Sequence, residues 1–241
     1  MADDVLNLTP LPPSTGRRME QVVTAVRSAI DDGHMQPGVK YSVYQLADIL
    51  GVSRTPVREA LLRLEEVGLI KFEARQGFRI VLPQPREIAE IFAVRLALEL
   101  PAVRKAATLV DAALARVLTD QRQLMHTAVV AADEASFSRH DLELHDLILA
   151  AAGNNRSRTI VASLRETTRL LGASTAHATR SLRDIEHEHD PILAAIIDGD
   201  PDRAEEAMRI HLVNTGKLLV RQAIRDGKQL YADDIWANAV S

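Results

Sequence analysis

Residues 53–61, Ser53-Arg54-Thr55-Pro56-Val57-Arg58-Glu59-Ala60-Leu61, running on through LRLEEVGLI to Ile70, decide the fold. Val57, Ala60, Leu61 and Leu64 recur at helical spacing and define one apolar face, so the stretch is predicted to be a helix that packs on neighbours. Ser53 is expected to cap its start and Gly68 to stop it after Val67. Pro56 costs little in the first turn, where backbone amides have no intrahelical partner. Arg54 and Arg58, four apart, stack on a face at the N-terminal end, where free amides and the helix dipole favour phosphate. Such a helix, entering a major groove N-terminus first, would bring Arg54, Thr55 and Arg58 to base edges and phosphates.

Working outward, residues 18–31 read as a helix on Val22, Val23, Val26 and Ile30, stopped by Gly33. A Pro37-Gly38 turn follows, then a short helix Val43–Leu50 ended by Gly51. Beyond the central helix, LIKFEA and GFRIVL alternate well enough for two short strands around a tight turn at Arg75-Gln76-Gly77. Three helices and a hairpin are the order of a winged helix-turn-helix, here residues 17–82, with Arg75, Gln76 and Arg79 of the wing in reach of adjacent DNA. Pro83 and Pro85 break the chain, which places a linker at residues 83–85.

The bulk composition agrees with a globular protein of mainly helical class. Hydrophobic residues make up 46% and charged residues 26%, aromatics only 3%. With no cysteine, disulfides, thiolate metal sites and cysteine nucleophiles are excluded, and any metal must take His and carboxylate. The net charge of −4 argues faintly against nucleic acid. Residues 17–80, however, hold ten Lys/Arg against eight Asp/Glu, so the placement of arginines matters more than their sum. Residues 1–16 read as a loose arm with neither a signal-peptide nor an anchor pattern, and no run approaches a membrane span, which predicts a cytoplasmic protein without a membrane partner.

After the linker everything reads as helix, over 86–108, 111–131, 134–152, 155–172, 178–198 and 201–226, so residues 86–226 are predicted to be an all-α bundle and 227–241 a weakly specified tail. Polar residues interrupt its apolar stripes. Asp141 and His145 fall within the stripe of Phe137, Leu144, Ile148 and Ala152. His189 falls within that of Leu182, Ile185, Ile192 and Ile196, and His211 within that of Ala204, Met208, Leu212 and Leu219. Inward polar groups need partners. One divalent ion held by an Asp and three His satisfies all four and leaves positions open for a ligand. His187 projects opposite His189, and His140 lies at a stripe edge; neither is a first-choice ligand. Arg95 and Glu99, four apart in another stripe, fit equally an internal ion pair or an arginine gripping a carboxylate ligand.

The stretch VSRTPVREAL, with LRLEEVGLI and the QGF wing, resembles the DNA-binding domain of the GntR family of bacterial regulators over residues 18–82. That resemblance implies base or phosphate contacts from Arg54, Thr55 and Arg58, help from Ser53, and a wing tip at Gly77. One departure is Tyr44-Gln45-Leu46, where relatives often carry an arginine. AVRLALELPAVRKAA, DLELH, AAGNN, HDPILAAIIDGD and AMRIHL resemble the FCD effector domain of the FadR-like branch, over residues 86–226. It implies a zinc, nickel or manganese ion on Asp141, His145, His189 and His211, a functional arginine at Arg95, and a small organic acid as effector. Leu144 replaces the usual aromatic, and Pro191 is expected to kink the helix of His189 or confine that residue to an early turn.

Together these readings predict a one-component regulator. It would be a homodimer on a palindromic double-stranded DNA operator, repressing until a carboxylate binds at the metal. The alternatives are a metal-dependent hydrolase, disfavoured by the lack of HExxH, a phosphate loop or a nucleophile–base pair, and a regulator whose metal only staples the bundle.

Overall fold

The computed structural model describes residues 8–12, 18–31, 34–36, 38–66, 68–73, 77–81, 84–170, 180–224 and 232–240. The chain divides into two compact units, one mainly of residues 1–83 and the other of residues 84–166 and 174–241.

The first unit is built on α1 (Arg18–Asp31), α2 (Val43–Leu50) and α3 (Arg54–Glu66), with β1 (Lys40–Tyr41), β2 (Ile70–Glu73) and β3 (Gly77–Ile80). Ser42 caps α2 through the amides of Tyr44 and Gln45, and Gly51 ends it in the left-handed region at φ 66°. Val57, Ala60, Leu61 and Leu64 of α3 are buried with Val22 and Val26 of α1, Leu46 and Leu50 of α2, and Phe78 and Ile80 of β3. The sheet has the order β1-β3-β2, antiparallel throughout, so the expected hairpin gains a third strand with Tyr41 opposite Phe78. Two residues of β1 give too short an alternation to be read from sequence. The Glu65 carboxylate of α3 accepts the Phe72 amide at 2.8 Å and ties the wing to the helix.

The second unit runs α4 (Pro85–Thr108), α5 (Ala112–Val130), α6 (Glu134–Ala151), α7 (Asn155–Leu170), α8 (Leu182–His187), α9 (Asp190–Ile197), α10 (Pro201–Ala223) and α11 (Ala232–Val240). Asp111, Asp133 and Asp200 each accept an amide of the following turn and so start α5, α6 and α10. α4 lies along α10 and also packs on α6, α9 and α11, while α5 pairs with α6. The helix expected over 178–198 is instead two, because Pro191 permits α9 to begin only at Asp190 and leaves His189 as its N-cap.

The loosely specified tail expected at 227–241 is corrected over its described part: Ala232–Val240 is helical, with Trp236 only 6% exposed. Its indole lies 6.1 Å from the ring of Phe92 on α4 and against Gly216 on α10. A Cβ at Gly216 would stand 2.8 Å from Cγ of Phe92 and closer still to Cζ3 and Cη2 of Trp236. The glycine therefore makes the seat that holds α11.

Candidate functional site

The first unit presents the N-terminal half of α3 to solvent. Ser53, Arg54, Thr55 and Arg58 are exposed, while Val57 and Ala60 between them are buried, so the core-facing stripe leaves the other side free. The Arg54 guanidinium rests 4.1 Å from the ring centroid of Tyr44 on α2. Tyr44, the departure noted in the sequence, thus orients one of the two helix arginines by cation–π contact. Arg75 and Gln76 lie outside the described residues. Gly77 has a conformational reason to be glycine: its φ is 101°, and an added Cβ would collide with the Tyr41 carbonyl. Arg79, read as in reach of DNA, keeps 38% of its side chain exposed. It is paired with Glu73 and donates from Nη1 to the Gly38 carbonyl at 2.5 Å.

In the second unit, three inward stripes bring His145 of α6, His189 before α9 and His211 of α10 together. All three are buried, and each offers a nitrogen within 4.8 Å of the others'. Ring centroids are separated by 5.5 Å (His145 and His189), 5.4 Å (His145 and His211) and 4.4 Å (His189 and His211). Asp141, also expected in this set, adjoins it through one member. Its Oδ1 is 3.0 Å from Nε2 of His189. It falls outside the group whose ligand atoms are mutually within 4.8 Å.

The hydrogen bonds behind the rings fix their protons. Nδ1 of His145 faces Oε2 of Glu99 at 2.5 Å, Nδ1 of His189 faces the Ile185 carbonyl at 2.9 Å, and Nδ1 of His211 faces Oε2 of Glu188 at 3.1 Å. Each partner is an acceptor, so Nδ1 donates, and in the neutral ring Nε2 then carries the lone pair. Nε2 of His145 and Nε2 of His189 are then two lone pairs 3.4 Å apart, with Oδ1 of Asp141 as a third acceptor beside them. Oδ1 is buried and has no hydrogen-bond partner among the described residues. Facing acceptors repel unless a cation lies between them. Burial, with repulsion from Arg165, lowers His145 to about 3, and burial lowers His211 to about 4, so both imidazoles are neutral and available as ligands. For Asp141, burial pushes the carboxyl up, but the Arg165 guanidinium outweighs it and holds it well below its ordinary range.

Each carboxylate beside the rings is itself gripped by an arginine. Arg95 Nε donates to Glu99 at 2.7 Å, Arg165 pairs with Oδ2 of Asp141, and Arg180 pairs with Glu188 while reaching Thr215 at 3.3 Å. The ion-pair reading of Arg95 and Glu99 is therefore realised, and Arg95 also stacks 4.8 Å from the ring of Phe92. Its Nη2 is buried and has no hydrogen-bond partner among the described residues. Sequence reasoning missed Arg165, Arg180 and Glu188. Arg165 alone had a signal, since it lies one helical turn past the buried Val161 on the same face of α7.

Of the remaining histidines, His187 is exposed, and His140 faces Gln121 at 3.3 Å. His126 meets the buried Glu186 at 2.9 Å, in a separate network with Arg122 and Asp190.

A winged helix followed in one chain by a helical domain with a histidine-lined centre is the build of a one-component transcriptional regulator. Residues 18–80 match the family model of bacterial regulatory proteins of the gntR family, and residues 90–214 match that of the FCD domain. The chain belongs to the GntR family of transcriptional regulators and carries an FCD domain. It is 32% identical over 142 residues to an uncharacterised helix-turn-helix regulator from the TAR-I ttuE-ttuC' intergenic region of Agrobacterium vitis, 58% of this chain and 83% of that one. It is 28% identical to a probable D-xylose utilization operon transcriptional repressor of Paenarthrobacter nicotinovorans, over 80% of this chain and 84% of that one. The solved structure of E. coli McbR/YncC shares the fold, with a TM-score of 0.64 at 23% identity, over 87% of this chain and 100% of that one. These are regulators by family and by name, and the hydrolase alternative falls with them. No described helix is long and apolar enough to cross a membrane.

Proposed function

We propose that this chain is a repressor that binds a palindromic operator as a homodimer, and that a small carboxylate effector binding at a metal in the FCD domain alters its hold on DNA. The observation that carries the reading is the convergence of His145, His189 and His211 with Nδ1 tied back and Nε2 turned inward. Carboxylate- and carbonyl-backed imidazoles are the arrangement that holds a divalent ion. His145, His189 and His211 would be its ligands, joined by Oδ1 of Asp141, with zinc, nickel and manganese the candidate ions. The bound ion would supply a positive centre for a carboxylate. Arg95 offers a buried N–H to the same acid. A probable repressor among the relatives supports the sign of regulation.

For DNA, the exposed Ser53, Arg54, Thr55 and Arg58 would read the major groove, with Arg75, Gln76 and Gly77 of the wing alongside. Effector binding regulates only if the acid favours one arrangement of the dimer over another.

Selection from random duplexes tests the DNA reading. It is expected to enrich an inverted repeat, and Arg58→Ala to weaken binding to that repeat about 10-fold or more, as for loss of a good base or phosphate contact. No enriched repeat, or full affinity in the variant, refutes it. Chelator-stripped protein tests the metal reading. It should stay folded and bind DNA but lose release by acids. If stripping unfolds the domain instead, the ion is a structural staple.

A further inference from the structure

His189 stands at a break in the backbone that carries it. α8 ends at His187 and α9 begins at Asp190, and Pro191 has no N–H to continue the helical ladder between them. The His189 amide bonds the Glu186 carbonyl at 3.0 Å, a three-residue step, while Nδ1 of its ring faces the Ile185 carbonyl. At such a break the direction of the ring depends on what holds the two ends.

Arg122 of α5 holds both. Its Nη1 lies 2.8 Å from Oε1 of Glu186, in the last turn of α8. Its Nε and Nη2 donate to the two carboxylate oxygens of Asp190, at the start of α9, at 2.9 and 3.2 Å. Glu186 and Asp190 flank His189, and one planar guanidinium spans them across the break. His126, one turn further along α5, meets the same Oε1 at 2.9 Å. Glu186 is only 1% exposed, and a carboxylate is costly to bury, so its place there depends on these partners. The neighbouring Gln121 grips α6: its Nε2 donates to the His140 carbonyl at 2.8 Å, next to Asp141. α5 thus supplies no member of the histidine centre. Two successive residues of it nevertheless hold the segments that carry Asp141, His145 and His189.

We infer that Arg122 is a positioning residue: it splints the junction of α8 and α9 and so fixes His189 where a metal would meet it. The inference rests on the metal reading above and adds to it a residue on a helix that bears no ligand.

The sign of the effect separates this role from plain electrostatics. Taking a cation away from the neighbourhood of a divalent ion should tighten metal binding, whereas loosening the splint should weaken it. Arg122→Gln, titrated with nickel or zinc alone, is expected to bind about 10-fold more weakly than native protein, the order lost when supports behind ligands are removed. Arg122→Lys keeps the charge but cannot span two carboxylates with a planar fork, and should fall closer to Arg122→Gln than to native. In metal-free Arg122→Gln, hydrogen exchange should quicken at the amides of His189 and Leu193, which bond across the junction, and not at Leu212 in α10. Unchanged or tighter metal binding by Arg122→Gln overturns the inference, and so does native affinity in Arg122→Lys. Both results leave the metal reading intact. If native protein binds neither ion, the metal reading itself fails and the inference with it. Should Arg122→Gln not fold, Asp190→Asn opens the α9 end alone, on a half-exposed side chain. It must quicken exchange at Leu193, and unchanged exchange there refutes the splint.

Discussion

Glu99→Gln is the substitution that most directly probes how the histidine centre is organised. Glu99 is 2% exposed and spends one oxygen on Arg95 Nε at 2.7 Å and the other on His145 Nδ1 at 2.5 Å. Burial alone would raise its carboxyl, yet Arg95 and His145 outweigh that and hold it below its ordinary range, so it is ionised. Glutamine has the same shape but one acceptor and one donor end. If its NH2 faces Arg95, a buried cation loses its counter-charge and meets a donor. If it faces His145, the ring must move its proton to Nε2, and the lone pair that a metal would use disappears. Either way a buried pair is broken from one side, which costs about 3 kcal/mol or more. In a domain of this size that is on the order of 10 °C in its melting transition. Metal affinity should fall about 10- to 100-fold, as for loss of other carboxylates behind ligating histidines. Scanning calorimetry of the metal-free protein reads the first effect, and titration with zinc or nickel reads the second. Unchanged melting together with unchanged metal affinity would refute the claim that Glu99 sets the tautomer of His145.

Gly216→Ala isolates the seat of α11. Alanine would gain about 1 kcal/mol of helix propensity, but its Cβ would fall inside the contact distance of Trp236 and Phe92. Net destabilisation, or release of α11 seen as increased amide exchange over 232–240, is expected; a stabilised protein with α11 still protected would count against the packing. Metal-free protein should also lose stability on mild acidification. His145 and His211 have pKa values lowered to about 3 and about 4 in the folded state, against 6.5 ordinarily. The unfolded chain therefore takes up protons first, and stability present above about pH 6.5 drains away as pH falls towards the folded values. Between about pH 7 and about pH 5 each histidine accounts for about 2 kcal/mol. A metal-free melting temperature that is flat over that interval would show that these rings are not buried in neutral form.

Helical periodicity located much of this molecule because it reports which residues of one helix share a face. The buried face of α3, with Arg54 and Arg58 left outside it, was legible that way. So were the inward directions of Asp141, His145, His189 and His211, and the break that Pro191 imposes before α9. Where a contact joins segments far apart in the chain, periodicity says nothing about the partner. The pairing of Arg165 with Asp141, of Arg180 and His211 with Glu188, and of Trp236 with Gly216 depends on how helices stack. A lone glycine in α10 or an aromatic near the end of the chain carries no local mark of the other. The wing was half readable: two alternating segments announced β2 and β3. The two residues of β1, and the capture of Arg79 by Glu73 and Gly38, required the sheet to close.

The sequence by itself therefore determined the class of protein, the helix α3 with its outward arginines and the identity of the inward polar residues, because these are properties of short segments with their own period and caps. Only the tertiary structure decided that the three imidazoles meet with Nε2 towards one point, that Asp141 stands at the edge of that group, and that each carboxylate around them is held by an arginine. Those outcomes come from the stacking of α4, α6, α7, α9 and α10. Charge balance and proton position are settled between helices, at distances no single helix encodes.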